Sequence, residues 1–243
     1  MIGVPRVHFR LTDSTNERAK ALVETGAPHG TLVTADEQTA GRGRQGRAWR
    51  ALPRASLLLS LLVRGLEDRH ALLPLTAAVA VCDALPDLDC QIKWPNDVWV
   101  DGRKLCGILL EGRPQAGWAV LGIGLNVNVR PEDLPPELRD TATSIAAAAG
   151  EPRDVEKELE ALIASLDHWI AAPEDEVLAA WRARDALAGR RVEWADGEGR
   201  AAGIDDSGSL LVETDDGVIE LNAGEVHISR LPDSTDPRRC RCS

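Results

Sequence analysis

Residues 39–49 read TAGRGRQGRAW, and the rest of the chain makes sense as scaffolding for them. Gly41, Gly43 and Gly46 alternate with Arg42, Arg44 and Arg47, Arg50 follows, and no acidic residue interrupts the run from Arg42 to Arg50. Glycine lets backbone N–H groups approach a phosphate closely, and guanidinium groups offer a planar, permanently charged fork of donors. The stretch is therefore an anion-binding loop. It also spells G-x-G-x-x-G, the dinucleotide fingerprint, which requires a helix to open at the third glycine. After Gly46 the chain instead carries Pro53 and then residues 56–63, SLLLSLLV, a buried-strand pattern. With no helix expected there, a nicotinamide or flavin site is set aside. A solvated arginine-rich loop remains the alternative until further motifs are counted.

A chain of 243 residues can bury one large domain and a small one. Twenty-eight basic against 39 acidic residues leave a net charge of −11, which opposes non-specific attraction to nucleic acid or an anionic membrane and makes the basic loop a local site. The longest apolar stretches, 56–63 and 71–81, are too short to span a membrane, and residues 1–12 lack a signal-peptide core, so a cytoplasmic location is expected. Five cysteines without framework spacing argue against a disulfide-stapled fold. Cys82, Cys90 and Cys106 read as small core residues, and Cys240 and Cys242 sit in a tail lacking further metal ligands. The five histidines are scattered without metal or triad spacing.

Along the chain, 7–11 reads as a strand, and Ser14 with Glu17 gives a capping-box pattern opening a helix to about residue 25. Strands are expected at 31–35 and 56–63, a buried helix at 70–85, and a strand at 90–94 running into Lys93-Trp94-Pro95-Asn96-Asp97. Asp101-Gly102 signals a hairpin between 98–100 and 104–110, and 119–128 reads as a central strand whose Gly122 and Gly124 leave room for a ligand. Residues 128–140 read as a loop. Val155, Leu159, Leu162, Leu166 and Trp169 mark one amphipathic helix, and Val177, Leu178 and Trp181 another. Beyond Leu187, short alternating runs broken by glycine give about five strands of a small β-barrel. The fold class is α+β, a mixed sheet flanked by helices, with domains at 1–186 and 187–232 and a disordered tail at 233–243.

Four polar clusters stand out: Ser14-Thr15-Asn16, Gln38 with the loop 41–47, Lys93 to Asp97, and Lys104 with Gly107. Joined to Gly122-Ile123-Gly124-Leu125-Asn126, the chain resembles the biotin protein ligase family over about residues 8–130. GRGRQGRAW and KWPND together are highly specific. The resemblance implies a catalytic domain related to class II aminoacyl-tRNA synthetases, followed by an SH3-like domain. It also implies activation of biotin with ATP to biotinyl-5'-AMP, then transfer to a lysine of a biotin carboxyl carrier protein domain.

That reaction joins two anions, so it needs cations where charge accumulates. The resemblance puts Arg42 and Arg44 near carboxylate and phosphate, with Lys104 between them. Local sequence alone also allows Lys104 to be an exposed hairpin lysine. By the same resemblance Ser14, Thr15, Asn16, Gln38, Gly41, Arg42, Gly43, Arg44 and Lys104 contact biotin, with Gly107, Gly122 and Gly124 giving its ring space. Arg42, Arg44, Arg47, Trp49, Lys93, Asn96, Asp97 and Asn126 serve ATP or the adenylate, with Mg²⁺ accompanying the phosphates and no protein metal site assigned. Lys104, Arg44 and Asp97 are the catalytic set. Asp97 is a candidate base for the acceptor lysine, although an aspartate after Pro-Asn is also an ordinary turn residue. Ser14 begins the ligand motif without space for a DNA-binding module ahead of it, so a monofunctional ligase without nucleic-acid or membrane partners is expected. Pairing through an edge strand into a homodimer is left open. A lipoate ligase is the nearest rival.

Overall fold

The computed structural model describes residues 1–65, 70–113, 116–222 and 224–229. The expected tail, with Cys240 and Cys242, lies outside them. Seven strands form one mixed sheet: β1 (Arg6–Phe9), β2 (Leu32–Ala35), β3 (Ser56–Arg64), β7 (Trp118–Asn126), β6 (Arg103–Arg113), β5 (Asp97–Val100) and β4 (Cys90–Lys93), in that spatial order. Only the β1–β2 pair is parallel; the other pairs are antiparallel, as the hairpin signals require. Asp101 and Gly102 both have positive φ, 52° and 71°, the backbone that a two-residue hairpin of type I′ demands.

The apolar run of β3 is buried from Ser56 to Val63 because both faces of the sheet are covered. Helix α1 (Thr15–Glu24) packs on β2, β3 and β7. On the other face lies α2 (Leu73–Asp83), itself covered by α4 (Val155–Ala171) and α5 (Glu174–Arg182). That double cover explains why α2 is buried without interruption from Leu75 to Cys82 and shows no polar stripe. Each fully buried leucine here contributes about 1.5–3 kcal/mol. Cys82, Cys90 and Cys106 are free, buried thiols.

One local expectation fails. Ser14 occupies the N-cap position with extended backbone, but its hydroxyl caps nothing, and Glu17 turns instead toward Lys20 and Arg42. Two cations attract the carboxylate more strongly than one backbone N–H. The stretch after β7 contains two 3₁₀ turns, Pro131–Asp133 and Pro136–Leu138, and a short helix, α3 (Ile145–Ala149). Ser144 Oγ caps α3 by accepting from Ala147 N at 3.2 Å, and Gly150 ends it at φ 81°.

The C-terminal segment forms a separate five-stranded antiparallel sheet in the order β11 (Gly217–Leu221), β10 (Leu210–Thr214), β9 (Gly197–Ile204), β8 (Arg191–Trp194), β12 (His227–Ile228). It meets the large sheet where Trp94 Nε1 donates to Gly208 O at 3.0 Å.

Candidate active site

The glycine-arginine loop folds back on itself. Gly43 N donates to Arg47 O at 2.7 Å and Trp49 N to Gly41 O at 2.9 Å, with the reversal at Gln45 and Gly46, both at positive φ. Arg47 then returns to extended backbone, so no helix follows Gly46 and the dinucleotide geometry is absent. A Cβ on Gly41 would lie 2.5 Å from Trp49 O. Gly41 therefore serves loop closure and does not line the cavity.

That cavity, about 490 Å³, opens between the loop, β3, β6, β7 and the β11–β12 connection. Every other residue singled out from the sequence lines it: Ser14, Thr15, Asn16, Gln38, Arg42, Gly43, Arg44, Arg47, Trp49, Lys93, Asn96, Asp97, Lys104, Gly107, Gly122, Gly124 and Asn126.

Lys104 is aimed by a bulge. Val98 faces Cys106 but Trp99 faces Lys104, so Leu105 is an extra residue in β6. Lys104 and Gly107 thus share the cavity wall, where plain alternation would set them on opposite faces. The backbone of Lys104 is strapped by Thr141 O at 2.8 Å and Thr143 N at 2.9 Å. Its Nζ lies 2.6 Å from Asp97 Oδ1 and 5.8 Å from the centroid of the Trp49 ring. Lys93, only 8% exposed, stands 5.5 Å from the Trp99 ring; burial pushes its pKa down against the opposing pull of Asp97. Arg44 reaches Asn96 Oδ1 and Gly224 O, each at 3.3 Å, and burial lowers its pKa also. Three cations thus surround one carboxylate.

Several of these side chains already have partners within the protein. Arg42 lines the cavity, but its guanidinium is engaged by Glu17 and Glu111 and does not stand free for an anion. Asn126 donates to Thr143 O at 3.0 Å and lies 3.3 Å from Ser56 Oγ, while Asn96 donates to Ile108 O, so both amides hold backbone or side chains of the protein. Gly122 makes room for the Asn16 amide: a Cβ there would fall 2.3 Å from Asn16 Oδ1. Gly124 and Gly107 make room for the Trp49 indole, whose Cε2 would be 2.4 Å from a Cβ on Gly124. Asp97, the candidate base, is paired with Lys104.

Sequence reasoning missed Leu134, Leu138, Thr141 and Ala142, which line the cavity from a loop, and Gly224, Glu225 and His227, which enter it from the small sheet. Glu225 pairs with Arg47, fixing the loop from the opposite domain. No sequence signal marks these residues, since they sit in a proline-rich loop and a short turn remote from the glycine-arginine motif. Among the described residues no three His, Cys, Asp or Glu side chains converge as a metal site, and no helix is long and apolar enough to cross a membrane.

Residues 8–128 match the family model of the biotin/lipoate A/B protein ligase family, and 189–228 match the biotin protein ligase C-terminal domain. The bifunctional ligase/repressor BirA of Bacillus subtilis is 33% identical over 94% of this chain and 75% of its own length. The biotin--[acetyl-CoA-carboxylase] ligase of Mycobacterium tuberculosis is 37% identical over 88% of this chain and 85% of its own. Biotin protein ligase from Aquifex aeolicus in complex with biotin and ATP superposes with a TM-score of 0.81, at 29% identity over 93% of this chain and 99% of that one. The two family matches, the identity to these relatives and the shared fold agree, and the chain belongs to the biotin protein ligase family.

Proposed function

We infer that this chain activates biotin with ATP and passes the biotinyl group to a lysine of a biotin carboxyl carrier protein domain in a biotin-dependent carboxylase. The observation that carries the reading is the convergence of Lys104, Lys93 and Arg44 on one wall, around Asp97. In the first step a biotin carboxylate oxygen bonds to the α-phosphorus of ATP, the α–β anhydride breaks, and pyrophosphate leaves. Lys104 and Arg44 offset the negative charge that builds as the two anions meet. Asp97 holds the Lys104 ammonium in position. The Trp49 indole, packed over Gly124 and Gly107, forms an apolar cover that keeps water from the mixed anhydride.

Mg²⁺ arriving with ATP would neutralise phosphate charge; among the described residues no three His, Cys, Asp or Glu side chains converge, so the ion would be held chiefly by phosphate and water oxygens. In the second step the acceptor amine attacks the acyl carbon, the bond to AMP breaks, and an amide forms with loss of a proton. The net charge of −11 disfavours a nucleic-acid partner, and β1 leaves one sheet edge for pairing between copies. ATP–pyrophosphate exchange with biotin and with lipoate tests the assignment: exchange should depend on biotin, and preference for lipoate would overturn it.

A further inference from the structure

Ser60 interrupts the apolar run of β3 at its centre, fully buried, with Gly122 opposite it on β7. A hydroxyl there costs stability unless it is bonded. Its Oγ lies 2.8 Å from Thr15 Oγ1 and 2.5 Å from Asn16 Oδ1. The other end of that amide, Asn16 Nδ2, donates to Glu111 Oε2 at 2.8 Å, and Glu111 Oε1 receives Arg42 at 2.8 Å and Lys20 at 3.3 Å.

A carboxylate only accepts, so the Asn16 amide has one permitted orientation, nitrogen toward Glu111 and oxygen toward Ser60. Burial pushes the Glu111 carboxyl up, but the Asn16 amide with Lys20 and Arg42 outweighs it and holds the group below the usual range, hence anionic at neutral pH. Gln38 Oε1 is likewise consumed, by Thr15 N at 2.7 Å and Thr15 Oγ1 at 3.0 Å. What this end of the cavity still offers is the Gln38 amide N–H₂ and the Ser14 hydroxyl, which bonds to none of the described residues. That pairing of donors with a donor-acceptor hydroxyl suits a planar urea.

We propose that Ser60 and Glu111 are positioning residues: through the two ends of the Asn16 amide they fix the polar floor against which a cyclic urea head group is read. Glu111 also ties that floor to the glycine-arginine loop through Arg42. The inference rests on the biotin ligase reading and deepens it: neither residue lines the cavity, and both act through Asn16, which does.

The test uses the full chain with Ser60→Ala, Glu111→Ala and Glu111→Gln in ATP–pyrophosphate exchange. Ser60→Ala and Glu111→Ala should each raise KM for biotin about tenfold or more, the cost of an orphaned buried polar group, while KM for ATP and kcat stay within about threefold. Glu111→Gln keeps an acceptor for Asn16 and should recover most of the loss, which a merely structural role would not predict. An unchanged KM for biotin in Ser60→Ala, a parallel rise in KM for ATP, or a glutamine variant as poor as alanine would overturn the proposal. Should Glu111→Ala fail to fold, Ser60→Ala decides. If the wild-type chain shows no biotin-dependent exchange, the ligase reading itself falls and this inference with it; biotin-dependent exchange with unaltered variants removes only the inference.

Discussion

Lys104 Nζ and Asp97 Oδ1 stand 2.6 Å apart on adjacent strands, on the wall of the cavity. The contact is an ion pair, so in the proposed reaction Asp97 orients the ammonium set against the reacting phosphate rather than taking a proton from an acceptor. Lys104→Ala should therefore slow biotin-dependent pyrophosphate exchange on the order of a hundredfold to a thousandfold. Asp97→Asn should slow it too, about tenfold, by letting the ammonium wander. A base acting only in transfer would spare exchange. Normal exchange with impaired carrier labelling in Asp97→Asn would restore the base assignment.

Arg44 bridges two domains, reaching Asn96 Oδ1 on one side and Gly224 O on the other. In the proposed reaction its loss should open the cover over the adenylate without removing Lys104. Arg44→Gly should shorten the half-life of enzyme-bound adenylate about tenfold, the scale of one charge-assisted contact. Filter retention of labelled adenylate measures this, and an unaltered half-life would exclude the clamp.

Gly124 is closed to any side chain by the Trp49 indole. Gly124→Ala must push the ring away, because a Cβ 2.4 Å from Cε2 cannot be accommodated by small adjustments. The cover should then be lost, raising KM for ATP about tenfold with a smaller change for biotin. Equal effects on both substrates would show that Trp49 does not serve the nucleotide end alone.

The residues legible in the sequence are those whose chemistry is local. TAGRGRQGRAW and KWPND announce their charge and turn geometry on short stretches, and each strand of the large sheet was expected near its place, β3 from its apolar run and the β5–β6 hairpin from Asp101-Gly102. Ser60 was hidden because a single hydroxyl in SLLLSLLV does not alter an apolar pattern, and its meaning depends on α1 lying across the strand. Glu111 falls one residue past the strand expected at 104–110, and only the fold brings Asn16 to it. Ser14–Glu17 matched a capping box, yet Arg42, distant in sequence, claimed the glutamate. The alanine-rich α3 lacked the contrast of polar and apolar faces that marks α4.

Asp185 lies in the connection between α5 and β8, where Ile92 N donates to Arg184 O and Ala186 N to Ile92 O, covering the β4 edge. Its Oδ1 accepts from Leu187 N at 2.8 Å, but Oδ2 is buried without a partner. Burial raises its pKa, opposed by the N–H groups of Leu187 and Ala188. For a carboxyl raised in the folded state, nothing is lost below the unfolded value of about 3.9, where both states are protonated. As pH climbs through the window up to the folded pKa, the unfolded chain ionises first and stability falls; the deficit persists at neutral pH. Asp185→Asn keeps an acceptor for Leu187 and removes the charge. It should stabilise the protein at neutral pH by about 1 kcal/mol, or roughly 2–4 °C in Tm for a chain of this size. The gain should shrink toward zero near pH 4. Thermal melts of both proteins across that range check the sign, and a variant no more stable than wild type at neutral pH would rule the account out.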